Sequence, residues 1–269
     1  MQPRMQDVCT PVGVYDPSDD TFLLADACEA ELTRCSSPRS LLCLDIGSGS
    51  GYVAQTLRIA GAGCVIATEL TQRAASATSS TAQIRVPSSI DAHPVASAVA
   101  CPAHVEVVQC DLVEPLRCRL QGCVDIVAVN PPYVPTDHAE LERTADARSG
   151  SLSLAWAGGD HGRDVIDRML VSLCKCLTQG GVLLLVVLDA NDAEDVCSKL
   201  LHECSMSTAH VVESRRADEE LLHLIRATQA RPHGSEQDGS VDAGERTLLE
   251  RSEAHEAASA DQEGSATSA

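Results

Sequence analysis

Apolar residues along the chain form two kinds of stretch. Short continuous runs, typical of buried strands, lie at 41–46, 64–68, 104–110, 124–129, 182–188, 208–212 and 221–226. Longer segments with helical spacing lie near 22–35, 52–60, 72–83, 164–177 and 193–204. Because strands alternate with helices, the pattern predicts an α/β fold with a seven-stranded, mostly parallel sheet. The last two strands have no helix-length crossover between them, so we expect the last strand to be antiparallel.

Glycine and proline mark the boundaries of these elements. Ser18, or an aspartate directly after it, is a plausible N-cap of the first helix. Gly180 and Gly181 are expected to end the helix at 164–177. Residues 83–103 contain three prolines, and they predict a loop insertion because connections in compact α/β folds are usually short.

The end of the chain differs in composition from the rest. Residues 229–269 are rich in Gly, Ser, Ala, Glu and Asp and contain no aromatic residue. Such a segment cannot bury enough apolar surface to fold. We therefore expect a folded domain at 1–228, with the insertion inside it, and a disordered acidic tail at 229–269.

Charge and cysteine content narrow the class of protein. The net charge is −19, of which the tail's nine acidic residues and three arginines supply 6, so the folded part is itself acidic and direct binding to nucleic acid is disfavoured. The 13 cysteines form no Cys-x-x-Cys pair, and we expect neither a metal site nor disulfides. We expect a reducing compartment, the cytoplasm or alternatively the nucleus. No run approaches about 18 apolar residues, which argues against a membrane span or secretion.

A glycine-rich turn follows the first predicted strand. Gly47-Ser48-Gly49-Ser50-Gly51 lies between Asp45-Ile46 and a helix, where glycines let a ligand approach the backbone at a helix N-terminus. Glu69, at the end of the second strand, suits the two hydroxyls of a ribose. The turn also satisfies the dinucleotide pattern G-x-G-x-x-A, but Asp45 would repel a pyrophosphate. The pattern favours a nucleoside that carries positive charge.

Two further positions are expected at the same edge of the sheet. Asp111 and Leu112 directly follow strand 104–110, so Asp111 could accept from an adenine amine while Leu112 packs beside the ring. An ordinary turn after the strand is the alternative. Residues 19–21 could also belong to the site, but helix capping is an alternative explanation for them.

The motif Asn130-Pro131-Pro132-Tyr133 ends the strand at 124–129. Prolines have no N–H and fix φ, so the strand must end in a rigid loop that faces the ligand crevice of an open α/β sheet. The Asn130 side-chain oxygen and the Pro131 carbonyl are two acceptors that fit the two N–H donors of a primary amide or an exocyclic amine. Tyr133 supplies a ring that can stack on the flat group. Positioning of this kind assists a weak amide nucleophile, although the motif alone could be a strand-terminating turn.

Five motifs together resemble those of the HemK-like class I S-adenosylmethionine-dependent methyltransferases. They are Val14-Tyr15-Asp16-Pro17, Asp20-Thr21-Phe22-Leu23-Leu24, Asp45-Ile46-Gly47-Ser48-Gly49-Ser50-Gly51, Asn130-Pro131-Pro132-Tyr133-Val134 and Ala155-Trp156-Ala157-Gly158-Gly159. The resemblance is strongest to the branch that methylates the glutamine of the GGQ motif in eukaryotic and archaeal class I release factors. It implies a Rossmann-like fold over residues 15–226 and S-adenosyl-L-methionine as the cofactor.

The resemblance also implies a set of site residues. The implied cofactor contacts, including the glycines of the turn, are Thr21, Asp45, Gly47, Gly49, Gly51, Glu69, Asp111, Leu112 and Asn130. The implied substrate contacts are Asn130, Pro131, Pro132 and Tyr133, and the catalytic residues among them are Asn130, Pro131 and Tyr133.

A protein partner is implied as well. In the strand order of these methyltransferases, strand 104–110 lies at the open edge of the sheet, where its Val105, Val107 and Val108 favour pairing with a further strand. Members of the family use a small zinc-binding activator subunit there. We therefore expect a heterodimer that acts on a translation release factor. Alternatively, the chain's own insertion at 83–103 could pair with this edge strand. Its composition, however, disfavours formation of a β-strand.

Four functions are compatible with these residues. The first hypothesis is a protein-glutamine N5-methyltransferase. An adenine methyltransferase acting on nucleic acid could use the same grip, but the acidic chain disfavours it. The third hypothesis is a protein-lysine methyltransferase, and the fourth is a non-catalytic cofactor-binding subunit. The presence of Glu69, Asp111 and Asn130 together disfavours a site that has lost its activity.

Overall fold

The fold is seen in a computed structural model, which describes residues 2–3, 5–84, 104–137, 152–217 and 220–231. Most of the insertion expected at 83–103 and of the tail expected at 229–269 therefore lies outside the described residues. Gln229 is described, and its N–H donates to the Gly181 carbonyl at 2.9 Å. A backbone hydrogen bond thus joins the first residue of the expected tail to the sheet.

The described chain contains the predicted alternation of strands and helices. The strands are β1 (Leu42–Ile46), β2 (Cys64–Glu69), β3 (His104–Gln109), β4 (Val124–Val129), β5 (Leu177–Leu188), β6 (Thr208–Ala217) and β7 (Glu220–Thr228). The helices are α1 (Asp19–Arg34), α2 (Tyr52–Ile59), α3 (Gln72–Ala82), α4 (Arg117–Leu120), α5 (Asp164–Cys176) and α6 (Ala193–His202). In the described ranges, no helix is both long and apolar enough to cross a bilayer.

The seven strands form one sheet in the order β3-β2-β1-β4-β5-β7-β6. Strands β1 to β5 pair in parallel, and β7 is antiparallel to both β5 and β6. The expected α/β architecture with an antiparallel last strand is therefore confirmed. The chain moves outward in one direction from β1 to β3 and in the other from β4 to β5. Right-handed crossovers consequently place the connecting helices on opposite faces of the sheet.

The core lies around the central strands of this sheet. Leu44 of β1, Val127 of β4 and Leu183 of β5 are fully buried, as expected for parallel strands covered by helices on both faces. Strand β3 stands at the edge, and its Val105, Val107 and Val108 are only partly buried. The predicted edge position of this strand is confirmed.

The expectation that Gly180 and Gly181 end a helix is wrong. Helix α5 ends at Cys176 and β5 begins directly at Leu177, so both glycines lie inside the strand. The register against β4 jumps from Leu177 to Val182 across only two residues of the partner strand. Gly180 has a φ of +78°, which glycine tolerates and which is typical of a bulge. The pair therefore shapes a strand irregularity.

Candidate active site

A cavity of about 470 Å³ opens at the carboxyl ends of β1, β2 and β4. The strand order reverses between β1 and β4, which is where open α/β sheets bind their ligands. Its volume falls within the range of small-molecule and cofactor pockets.

The glycine-rich turn forms one wall of the cavity. Gly47 and Gly49 have φ values of +70° and +54°, and the amides of Gly47 and Ser48 donate to the Thr68 carbonyl at 2.9 and 3.1 Å. These bonds hold the turn against the end of β2. Because glycine is required by the positive φ values, the backbone stays open to a ligand here.

Gly51 has a different place in this turn. It is the N-cap residue of α2 with a φ of +82°, and a Cβ there would come within 2.8 Å of the Thr78 Cα atom. Glycine at this position allows close packing of α2 against α3. Gly51 is not among the residues that line the cavity, so its predicted contact with a cofactor stays a prediction.

Two buried oxygen atoms beneath the turn have no hydrogen-bond partner among the described residues. They are Oδ2 of Asp45 and Oγ1 of Thr68, and both side chains line the cavity. Burial raises the pKa of Asp45 to about 7, against a backbone hydrogen bond from Ala54 that lowers it, and the nearby Glu69 raises it further. A buried oxygen left unpaired is costly. A cationic ligand at this point would satisfy the Asp45 carboxylate and favour its charged form.

Glu69 is held at the end of β2 by two backbone amides. Its Oε2 accepts from the Gly49 N–H at 3.0 Å and its Oε1 from the Thr71 N–H at 3.2 Å. Each carboxylate oxygen keeps a further lone pair. The geometry leaves Glu69 able to accept from two adjacent hydroxyls in the cavity.

An ion pair marks the far end of the cavity. Arg168 of α5 donates to both carboxylate oxygens of Asp111, at 2.8 and 3.0 Å. Leu112 follows with a φ of +51°, a conformation that non-glycine residues rarely adopt. These three residues line the cavity together with Val165. The cavity lining here combines a carboxylate with the apolar side chains of Leu112 and Val165.

The centre of the opposite end is Asp20, a carboxylate with only 4% exposure. Its Oδ1 accepts from the backbone N–H and the hydroxyl of Thr21. Its Oδ2 accepts from the hydroxyl of Tyr15 at 3.1 Å, from Nδ2 of Asn130 at 3.0 Å and from the hydroxyl of Tyr133 at 2.8 Å. Five hydrogen bonds thus converge on one side chain in the first turn of α1.

The Asp20 network fixes which way the Asn130 amide points. Because a carboxylate can only accept, the NH₂ group of Asn130 must face Asp20. The Oδ1 atom of Asn130 is then left buried without a partner in the described part of the chain. Burial, and next the charge of Asp20, raise the pKa of Tyr133 well above its usual value. The tyrosine therefore stays neutral and keeps its hydroxyl as a donor to Asp20.

The loop after Asn130 is braced by the motif that contains the single tryptophan. The Val134 N–H donates to the Trp156 carbonyl at 2.9 Å, and the Gly158 N–H donates to the Val134 carbonyl at 2.8 Å. A Cβ at Gly158 would come within 2.7 Å of the Pro132 carbonyl oxygen. Glycine is therefore needed for this close approach, which explains why two separate sequence motifs occur together.

The structure brings nearly all of the predicted site residues to this one cavity. Those that line it are Thr21, Asp45, Gly47, Gly49, Glu69, Asp111, Leu112, Asn130, Pro131, Pro132 and Tyr133. Their individual contacts with a cofactor or a substrate stay predictions.

Two residues of the site were missed by the sequence analysis. Asp20 was interpreted only through capping and through its motif, although Ser18, the N-cap residue, makes no side-chain capping bond. A signal was present, because Asp20 shares a helical face with the buried Leu23 and Leu24, and an acidic residue on a core-facing stripe requires partners. Arg168 lies on the exposed side of an amphipathic helix, where the sequence offers no such signal.

The known proteins that the chain resembles are methyltransferases. No model of a known protein family matches the chain. The chain is 32% identical over 219 residues to human methyltransferase HEMK2, covering 81% of this chain and 90% of that protein. It is 28% identical over 226 residues to the eRF1 methyltransferase catalytic subunit mtq2 of Schizosaccharomyces pombe, covering 79% of this chain and 88% of that protein. Among solved structures, the E. cuniculi Mtq2–Trm112 complex, which methylates the translation termination factor eRF1, matches with a TM-score of 0.52 and 25% identity, over 81% of this chain and all of the matched chain.

Proposed function

The chain belongs to the HEMK2 family of methyltransferases, and from this premise we propose that it transfers a methyl group to the side-chain nitrogen of the GGQ glutamine in a class I release factor. The observation that carries the proposal is the Oδ1 atom of Asn130, which is buried and has no hydrogen-bond partner among the described residues. A primary amide is the uncharged side chain that presents N–H donors and a nitrogen nucleophile together. The Schizosaccharomyces pombe relative and the E. cuniculi structure, both named for eRF1 methylation, support the same substrate.

The cofactor of the proposed reaction is S-adenosyl-L-methionine, and the residues present fit it. Asp45 offers its unpartnered oxygen to the cationic amino acid portion, Glu69 accepts from the ribose hydroxyls, and Asp111 accepts from the adenine amine. Thr21, Gly47, Gly49 and Leu112 complete the lining. When bound, the cofactor supplies the methyl group as an electrophilic carbon on a sulfonium.

The protein's own contribution is to hold the nucleophile. Asn130 Oδ1 and the Pro131 carbonyl accept the two N–H bonds of the glutamine amide, and the Tyr133 ring packs on its flat face. The amide nitrogen is weakly nucleophilic because its lone pair is delocalised. Two acceptors raise electron density on that nitrogen and restrict it to one orientation. The nitrogen becomes far more acidic once it carries the methyl group, so it gives up one N–H proton to water after the attack, and no base is needed before it.

We further propose that a small subunit covers strand β3, and that it is the zinc-binding activator that the sequence motifs imply. The strand's outer edge has no pairing partner within the described ranges. The side chains of Val105, Val107 and Val108 are only partly buried, so apolar surface stays exposed on this strand. An added strand would satisfy the free backbone groups. The matched E. cuniculi structure is a complex with Trm112, which supports a partner of this kind.

One assay tests the proposed reaction. Labelled methyl transfer is measured to a release factor, to its GGQ-to-GGA variant, and to DNA and RNA oligonucleotides. We expect label on the release factor alone. Label on the oligonucleotides, or equal label on the GGA variant, would assign the site to another substrate.

Co-expression tests the partner. The chain is purified alone and together with a small zinc-binding activator, and solubility, mass in solution and turnover are compared. We expect the chain alone to aggregate or to turn over poorly. A soluble, monomeric and fully active chain without any partner would contradict this proposal.

A further inference from the structure

A fully buried amide, Asn191, joins three loops at the substrate end of the cavity. It lies in the short turn directly after β5. Its Oδ1 accepts from the Leu188 N–H at 2.7 Å, and its Nδ2 donates to the carbonyls of Tyr133 and His161, each at 2.8 Å. All three bonds have good geometry for amide groups. The side chain thus connects the end of β5 and the glycine loop before α5 to the loop that begins at Asn130.

The loop that begins at Asn130 depends on outside donors of this kind. Pro131 and Pro132 have no N–H, so these two positions cannot bond to a neighbouring strand. Among the described residues, the first backbone hydrogen bond that the loop donates is from the Val134 N–H to the Trp156 carbonyl. In the segment between Asn130 and Val134, Asn191 donates to the Tyr133 carbonyl. The backbone of the loop is therefore positioned largely by what its carbonyls accept.

Close packing behind the carbonyl limits other positions for it. A Cβ at Gly162 would overlap the Tyr133 carbonyl oxygen, and Gly162 has a φ of +70°. The second Nδ2 bond, to His161, holds the adjacent residue of the same glycine loop. Asn191 and Gly162 contact the Tyr133 carbonyl together, and a change at either one would displace it.

We propose that Asn191 is a positioning residue for methyl transfer, acting through the Tyr133 carbonyl on the acceptor at Pro131. This inference rests on the proposed function, since it assigns the geometry of that reaction's substrate grip to a residue outside the cavity. The acceptors at Asn130 and Pro131 must lie at a fixed separation to receive two N–H bonds from one nitrogen. Their separation depends on the backbone between Asn130 and Tyr133. Asn191 holds the backbone at the far end of that segment through the Tyr133 carbonyl, while Asp20 bonds to the side chains of Asn130 and Tyr133.

The principal test is Asn191→Asp. This change keeps the side-chain volume and the acceptor for Leu188, but it replaces both N–H donors with an oxygen that faces two carbonyls. We expect kcat for the release factor to fall about 100-fold, as a displacement near 1 Å can produce. The dissociation constant of S-adenosylmethionine should change little, because all of its predicted contacts except Asn130 lie on other loops. Gly162→Ala would place a Cβ against both the Tyr133 carbonyl and the Asn191 amide nitrogen, and it should give the same result if Asn191→Asp does not fold.

The control is Thr178→Val, at the opposite end of β5. It removes one partly buried side-chain bond, from Thr178 to Asp125 at 3.1 Å, and so lowers stability without contact with the cavity. Its kcat should match that of the wild type. The proposal would be overturned if Asn191→Asp and Gly162→Ala both kept the kcat of the wild type. It would also be overturned if Thr178→Val lost as much kcat as they do.

Amide hydrogen exchange at Val134 separates this inference from the proposed function. We expect faster exchange at Val134 in Asn191→Asp than in Thr178→Val, because the loop is released only in the first. If the wild type does not methylate a release factor, the proposed substrate is wrong, and the exchange result still decides whether Asn191 holds the loop. Exchange that is equal in the two variants would overturn the role of Asn191.

Discussion

The two ends of the cavity are built in different ways. At the expected adenine end, the side chains of Asp111 and Arg168 are 44% and 54% exposed, and Leu70 beside them is 51% exposed. At the expected substrate end, Asp20 and Tyr133 are only 4% and 8% exposed. One end therefore consists of solvated contacts and the other of a closed hydrogen-bond network.

The difference in burial sets the expected energies. An exposed ion pair contributes about 0.2–1 kcal/mol, whereas leaving a buried polar group unpaired costs about 1–3 kcal/mol. Recognition of the adenine can thus be spread over several weak contacts, although Asp45 on the cofactor side is itself buried. Substrate positioning is concentrated in a few buried groups, and single substitutions there should have the larger effects.

The largest effect is expected from Asn130→Ala. Loss of the Oδ1 acceptor removes the grip on the nucleophile, and we expect turnover to fall about 10³-fold, similar to the removal of one key group from an oxyanion hole. Cofactor binding should weaken at most slightly, since most of the predicted contacts lie elsewhere. Calorimetry of cofactor binding beside the turnover assay separates the two. An equal loss in both would mean that Asn130 serves the cofactor.

Asp20→Asn should give the next largest effect, about 10²-fold in turnover, because a misdirected group near the reaction centre has this cost. An amide at position 20 also carries donors, so it no longer dictates the orientation of Asn130. The exposed neighbour provides a matched control, Asp19→Asn, which removes the same charge from the same helix turn. Turnover that is equal in the two variants would show that charge near α1, and not the buried network, matters.

A pH effect is expected at Asp45. Burial raises the pKa of Asp45 to about 7 from its ordinary value near 4, so the folded chain holds this proton more tightly than the unfolded chain does. The free energy of unfolding of the cofactor-free chain should consequently fall as pH rises between these values. A cationic ligand needs the charged carboxylate, so affinity for S-adenosylmethionine should fall below pH 7 by up to about tenfold per pH unit. Calorimetry of S-adenosylmethionine binding between about pH 4 and about pH 7 measures this affinity. If Asp45→Asn showed the same pH dependence as the wild type, Asp45 would not be the titrating group.

The smallest effect is expected from Arg168→Met. It removes the ion pair with Asp111 but keeps an unbranched side chain over the cavity. The dissociation constant of the cofactor should rise by no more than about fivefold, as an exposed pair allows, with kcat unaffected. Arg117→Met, which removes another exposed ion pair, with Glu114, is the control and should leave cofactor binding unchanged. A large loss of kcat in Arg168→Met would place this residue in the chemistry.

The sequence was sufficient for the sheet and for the positions of the loops, because apolar runs identify strands and the carboxyl ends of parallel strands meet at one edge. It was insufficient for contacts between distant segments. Asp20 and Asn130 are 110 residues apart, and no local pattern states that their side chains meet. Asn191 was unremarked for the same reason, since its partners at Tyr133 and His161 come from two other loops. Gly180 and Gly181 were misassigned because a glycine pair after a helical segment is typical of both a helix end and a strand bulge.

The central claim is that two acceptors, Asn130 Oδ1 and the Pro131 carbonyl, receive the two N–H bonds of one glutamine amide. A monomethylated amide has only one N–H left, and its methyl group would collide with the second acceptor. The most direct measurement is mass spectrometry of the GGQ peptide after exhaustive reaction of the release factor. We expect one methyl group on the glutamine nitrogen and no second. A dimethylated glutamine, or a methyl group on any other side chain, would contradict it.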